Sequence, residues 1–329
     1  MNFAQSPSPT DAVSTPATVI PNPSGAQPSP PSPWLLPALT ITLAIGALWL
    51  AVRRGWLIAR EADVLAAARP GLPLILGVGL YCAVALAALT AQATFLPQPL
   101  AGAGAPMLAD FATQAKVLLV TYGFGAPMAL GCWWWFANRS LTQDGLLRET
   151  AGRRLGLASG IQLGLLAALI CAPVVLGAGQ LAQLVAGLFG APTPPTLGHQ
   201  TLAALADDTQ PLLWRAVVIG AVVLGVPIVE EVLYRGFLQT TASRGLFTLG
   251  VTDGSRPSVW PAIVLTSVVF VAAHASAVPR DAWPGAAATL LTLSLALGLV
   301  RARSGGVTAP IVMHALFNAA NVTAAMMLG

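Results

Sequence analysis

Residues 226–238 read VPIVEEVLYRGFL. Two glutamates stand side by side, an arginine follows the second by four residues, and apolar residues surround all three. The chain has only four glutamates in 329 residues, so half of them fall in this one stretch. A charged side chain within hydrocarbon costs at least about 2.5 kcal/mol on insertion scales. Such a stretch needs a reason, and the surrounding composition says which kind.

Hydrophobic residues make up 56% of the chain and charged residues 9%. A soluble domain carries roughly 25% charged residues. So few charges cannot cover a water-facing surface, and the chain must be solvated mostly by lipid. A helix needs about 20 apolar residues to span the bilayer. Eight runs approach or meet that length, at about 34–52, 72–92, 116–136, 158–178, 212–234, 259–277, 285–300 and 306–328. The expected fold is all-α, a polytopic integral membrane bundle of about eight transmembrane helices. Segment 179–190 either extends the fourth helix or lies on the surface, and APTPP at 191–195 breaks whatever precedes it.

Residues 1–33 are rich in Pro, Ser, Thr and Ala and too poor in bulky apolar groups to fold. They read as a disordered tail without the basic start and apolar core of a signal peptide. Residues 34–200 then form an N-terminal set of membrane helices, and 201–329 the segment that holds the unusual polar groups.

Basic residues collect in cytoplasmic loops. Rich loops (Arg53, Arg54, Arg60, Arg69; Arg139, Arg148, Arg153, Arg154; Arg244, Arg256; Arg301, Arg303) alternate with poor ones. That pattern suits eight spans in the cell membrane with both termini outside the cytoplasm. It also accounts for the net charge of +4. No basic patch is interleaved with aromatics, so nucleic acid is not an expected partner. Cys82, Cys132 and Cys171 lie in separate apolar runs, without CxxC spacing, and read as small apolar residues. Trp133, Trp134 and Trp135 fall where the third span should leave the membrane, and read as an interfacial anchor.

Inside the spans the ionisable and amide groups are Glu230, Glu231 and Arg235, then His274, then His314, Asn318 and Asn321. Glu231 and Arg235 are four apart and share a helical face. Glu230 points about 100° away and is free of that pair. His314, Asn318 and Asn321 form one stripe, and Phe270 lies one turn before His274. Along their helices His314, Glu230 and His274 come out about 10, 15 and 20 Å deep, so their meeting requires tilted helices or a thinned bilayer. His199 lies in a Pro/Gly loop and reads as solvent-facing.

A carboxylate and imidazoles in a partly dry cavity suit the activation of water, with a His or Asn donor to hold an oxyanion. Alternatively Glu230, His274 and His314 supply three ligands for a catalytic zinc with an open position. The first route requires no cofactor. Both lead to hydrolysis. There is no GxSxG, no Walker loop and no CxxC.

The stretch EEVLYR (230–235) resembles the EExxxR signature of the type II CAAX prenyl endopeptidases and their bacterial relatives, the CPBP or abortive-infection family. FVAAH (270–274) resembles that family's FxxxH, and HALFN (314–318) its third signature, His followed four residues on by Asn or Asp. The ordered triple covers about residues 210–325. The resemblance implies an intramembrane endopeptidase acting on a peptide or membrane-protein substrate. It implies Glu230 and His274 as the water-activating pair, His314 and Asn318 as the oxyanion pair, and Glu231 and Arg235 as a supporting ion pair, with Phe270 one turn from His274. Family members have been described as metalloproteases, which keeps zinc open. Two rival readings stand beside it. One is a non-catalytic immunity or scaffolding protein of the same fold. The other is a proton-coupled transporter, which would call for an internal repeat that the first half does not show.

Overall fold

The computed structural model describes residues 35–55, 71–96, 110–142, 155–192, 204–205, 209–249 and 259–328. The proline-rich segment 1–33, Pro194, Pro195, His199, and Arg60, Arg69, Arg148, Arg153, Arg154 and Arg256 lie outside these residues. Every apolar run becomes a helix. They are α1 (Leu35–Arg53), α2 (Gly71–Phe95), α3 (Phe111–Thr142) and α4 (Leu157–Leu188), then a compound α5, and α6 (Trp260–Ala273), α7 (Trp283–Ser304) and α8 (Thr308–Leu328). Among the described residues there is no strand. The 179–190 segment extends α4.

Six of the eight helices are long and apolar enough to cross a membrane. Their outer faces are greasy: Leu169 is 75% exposed, Ile75 69% and Leu188 79%, whereas Glu231 and Arg235 are buried. That inversion of the water-soluble pattern is what lipid as solvent requires. The chain is a multi-pass membrane protein.

α6 departs from the expected 259–277 span. It has 14 residues, about 21 Å at 1.5 Å per residue, and stops short of crossing. The cause is local. The Phe270 carbonyl accepts from the side chain of His274, Nδ1 to O at 2.7 Å. The backbone N–H of His274 turns instead to Val271, three residues back, at 3.0 Å. A side chain competing for a helix carbonyl ends the helix there.

α5 departs from a plain α-helix. Leu212–Gly220, Ala221–Gly225, Val226–Glu230, Glu231–Leu238 and Gln239–Thr248 follow one another, the second and fourth being π-helical. At the end of the fourth, the Gln239 N–H reaches the Tyr234 carbonyl, five residues back. Wide turns of this kind cluster at functional sites, and the second of them starts at Glu231.

Contacts fix the up-and-down order. Arg303 Nη2 donates to the Gly55 carbonyl at 3.2 Å, joining the ends of α7 and α1. The Leu155 N–H reaches Ser304 O at 3.2 Å, bringing the start of α4 to the same end. The Arg301 guanidinium stands 5.4 Å from the Trp133 ring centroid, adding the end of α3. Arginine-bearing ends therefore meet. At the opposite end Lys116 lies over the rings of Phe95 and Trp214, at 6.0 and 5.6 Å.

The tryptophan cluster divides its work. Trp134 is 67% exposed. Trp133 packs inward on Phe136 and Phe237, with centroids 5.9 and 6.2 Å away. The three cysteines carry free thiols.

Small residues let the helices close. A Cβ on Gly164 of α4 would come within 2.6 Å of Ala309 O on α8, and one on Gly225 of α5 within 2.7 Å of Tyr122 on α3. Close approach through small residues is the usual basis of helix packing in lipid. Between α7 and α8, Gly305 takes the left-handed φ of 65° and its N–H caps Arg301 O at 3.1 Å. That tight turn sends α8 back along α7, and His314 back toward α5.

Candidate active site

Three helices deliver the ionisable groups to one place. Glu230 and Glu231 come from the middle of α5, His274 from the end of α6, and His314 from the second turn of α8. Sequence spacing left the depths of the two histidines about 10 Å apart. The structure nevertheless brings both imidazoles to Glu230, His274 Nε2 at 3.6 Å and His314 Nε2 at 4.0 Å.

The inner part of the site is dry. The side chains of Glu231 and Arg235 are 0% and 1% exposed, and Nη1 stands 3.3 Å from Oε1. The same Glu231 Oε1 accepts from His314 Nδ1 at 2.9 Å. A buried charge must be paired, and here one carboxylate serves two cationic or donor groups. The acceptor fixes the imidazole: Nδ1 carries a proton, and Nε2 points on toward Glu230 Oε2 at 4.0 Å. Sequence reasoning expected Glu231 to be taken up by Arg235 alone. Its hold on His314 was missed, because a contact between α5 and α8 has no signature in spacing.

The outer part is half open. Glu230 is 19% exposed and His274 26%, with His274 Nε2 3.6 Å from Glu230 Oε1. The Phe270 carbonyl can only accept, so His274 Nδ1 is the protonated nitrogen. In a neutral ring Nε2 then presents a lone pair to Glu230. Two lone pairs do not hold each other, so the pair needs an added proton or a water between them. The separation of 3.6 Å exceeds a direct hydrogen bond. Glu230 Oε2 is buried and accepts no hydrogen bond among the described residues. The pair is therefore built with room and with unmet hydrogen-bonding capacity.

Phe270 is the hub of the packing. Its ring lies 4.4 Å from that of His274 and 6.2 Å from that of His314, with Tyr234 edge-on at 5.1 Å. The Arg235 guanidinium lies 4.7 Å from its centroid, within cation–π range. The family signature residue thus spaces both imidazoles and faces the buried cation. Tyr234 gave no sequence signal beyond its position among the wildcards of the first motif.

Asn318 lies one turn beyond His314 on α8. Its Nδ2 donates to Val222 O at 2.9 Å, in the first π-helical stretch of α5. An Asn amide carries two donor hydrogens, so one remains. Asn321, next on the stripe, is half-buried. Two further groups were missed, Ser294 and Gln239. Arg235 Nη2 donates to Ser294 Oγ at 2.8 Å, and Gln239 Nε2 to Gly298 O at 3.1 Å. A lone serine in an apolar helix is too common to stand out.

The zinc alternative finds no support in the donor set. Among the described residues no three His, Cys, Asp or Glu side chains form a group that could hold a metal. The two imidazole Nε2 atoms face different oxygens of Glu230, at 3.6 and 4.0 Å. Each Nδ1 is already committed to another partner.

Residues 212–320 match the family model described as Type II CAAX prenyl endopeptidase Rce1-like. The match supports the resemblance that the three motifs carry over this membrane region. No curated protein and no solved structure matches the chain.

Proposed function

We propose that the chain is an intramembrane endopeptidase of the CAAX prenyl protease type, with residues 201–329 as its catalytic core. The observation that carries this reading is the half-open Glu230–His274 pair beside a buried His314 whose Nδ1 is held by Glu231. In the reaction a water lies between Glu230 and His274. Glu230 takes its proton as the water oxygen bonds to the scissile carbonyl carbon. The carbonyl electrons move onto the oxyanion. His314 Nε2–H and the second Asn318 Nδ2–H face that charge. With Nδ1–H held by Glu231, a donor at Nε2 requires the imidazolium. Collapse of the intermediate breaks the C–N bond, and Glu230 returns its proton to the leaving amine. Every step is carried by side chains of this chain.

The substrate is a peptide or membrane protein presented from lipid, and a prenylated C-terminal motif is the first to try. No nucleic acid takes part. The arginine-bearing ends face the cytoplasm of the cell membrane, with both termini on the far side. Aqueous-reagent labelling of single cysteines placed at Gly55 and at Gly329, from each side of sealed vesicles, checks this.

The activity test compares membrane peptides from cells with the wild-type chain and with its Glu230→Ala and His274→Ala variants. A product released only by wild type, and reproduced in detergent by the purified chain, is the expected result. Equal release by purified, folded variants would refute the assignment. A scaffolding role would leave the alanine variants fully functional in the cell. A proton relay would show flux in proteoliposomes that Glu230→Gln abolishes.

A further inference from the structure

α7 carries none of the three motifs, yet it touches the buried part of the site. Arg235 Nη2 reaches Ser294 twice, at 2.8 Å to the hydroxyl and 3.4 Å to the carbonyl. One turn further on, Gln239 reaches the Gly298 carbonyl at 3.1 Å. Arg235 and Gln239 are four apart on α5, and Ser294 and Gly298 four apart on α7. The two helices are thus joined by a two-rung polar ladder within lipid.

The first rung leads to the site. From Ser294, contacts run to Arg235 at 2.8 Å, from Arg235 to Glu231 at 3.3 Å and from Glu231 to His314 at 2.9 Å. All four residues are buried. The Arg235–Glu231 contact is close but loosely aligned, since Arg235 Nη1 forms no hydrogen bond. The directional bond that orients the guanidinium is therefore the one to Ser294. Ser294 also differs from the hydroxyls whose bonds stay on their own helix. Thr240, Thr289 and Thr323 each donate to the carbonyl four residues back. The Ser294 hydroxyl instead receives a bond from another helix.

We propose that Ser294 is a positioning residue of the site, acting through Arg235 and Glu231 on the imidazole of His314. Its kinetic readout rests on the peptidase reading above. Ser294 touches no reacting atom. It fixes where the guanidinium sits, hence how Glu231 Oε1 is shared, and hence where His314 Nε2 points. The second rung is the internal control. Gln239 joins the same two helices, and a Cβ on Gly298 would come within 2.8 Å of Ile263 on α6, so this rung sets how closely α5, α6 and α7 pack. Its hydrogen bond runs to the Gly298 carbonyl and not to Glu231.

The test is a double-mutant cycle, which isolates coupling between neighbours. Ser294→Ala should lower kcat about tenfold, the lower end for a group that orients a functional histidine, with KM little changed. In a Glu231→Gln background the same change should cost less than about twofold, because the chain is already cut. Gln239→Ala should lower thermal stability and leave kcat near wild type. If Ser294→Ala does not fold, Ser294→Thr, which keeps the hydroxyl, takes its place and should retain activity once folded. Equal losses in both backgrounds, or an active-site defect in the folded Thr variant, would overturn the proposal.

A second readout needs no substrate. The chain has three histidines, so [15N]histidine spectra resolve the ring tautomers. Ser294→Ala should shift the His314 ring signals and leave those of His199 in place. A shift without any proteolysis would sink the peptidase reading and keep the positioning role. Unshifted His314 signals would sink the positioning role whatever the activity.

Discussion

Glu230 and Glu231 are neighbours in sequence and opposites in environment. Glu231 is fully buried and shared between Arg235 and His314. Glu230 is partly open, its nearest partner a histidine at 3.6 Å, and one of its oxygens accepts nothing. The difference teaches how a membrane chain divides two adjacent carboxylates. One is sealed from solvent and tied through its Oε1 to a cation and an imidazole, and it holds the structure. Each has one oxygen that accepts nothing among the described residues, but only the other is partly open, with its histidine beyond hydrogen-bond distance, so that something else can occupy the space. Neighbouring positions on a helix point about 100° apart, which sends them to these different places.

The largest effect that could break this comparison lies at the open carboxylate. Glu230→Gln keeps shape and removes the base, and turnover should fall about 10³- to 10⁴-fold while the melting temperature barely moves. A large loss of stability with modest loss of rate would erase the contrast. The buried side should behave the other way. Arg235→Met leaves Glu231 buried without its cation, which costs about 3–5 kcal/mol. Adding Glu231→Gln should recover part of that stability but not activity. Thermal unfolding of the single and double variants in one detergent measures both.

Asn318→Leu removes the proposed second oxyanion donor and the bond to Val222. It should lower kcat about 10²-fold with a smaller change in KM. Chelation sharpens the same contrast: extensive treatment with a chelator, checked by metal analysis of the washed protein, should leave turnover unchanged. Stoichiometric zinc whose removal abolishes activity would return Glu230, His274 and His314 to the role of ligands.

The smallest effect calibrates the comparison from outside the bundle. Asp110 is exposed, and the Thr113 side chain and backbone N–H, the latter at 2.6 Å, hold its carboxyl below the usual carboxylate range. A lowered carboxylate contributes stability above its unfolded value and loses it as pH falls through the folded one. Asp110→Asn should remove that acid-side dependence and leave turnover at neutral pH unchanged.

How much of this was legible follows from cost. A charge in hydrocarbon is expensive, so few are present, and Glu230, Glu231, Arg235, His274 and His314 stood out against apolar runs. Four-residue spacing then paired Glu231 with Arg235 and freed Glu230, as the structure has it. The helices were legible because each apolar run is long and separated from the next by proline or charge. The end of α6 was not, since apolar residues continue past Ala273 while one imidazole takes the carbonyl that would carry the helix onward. Nor were the π-helical turns, which hydropathy does not encode. Ser294 and the Glu231–His314 contact were invisible for another reason: they exist only once α7 and α8 are packed on α5.

The central claim is that Glu230 and His274 act together on one water. It is tested most directly by the rates of Glu230→Ala, His274→Ala and the double variant on one peptide substrate, each shown to be folded. Groups serving one event are strongly non-additive. The double variant should therefore be no slower than the slower single one. Losses that multiply, or wild-type turnover by either single variant, would contradict the account.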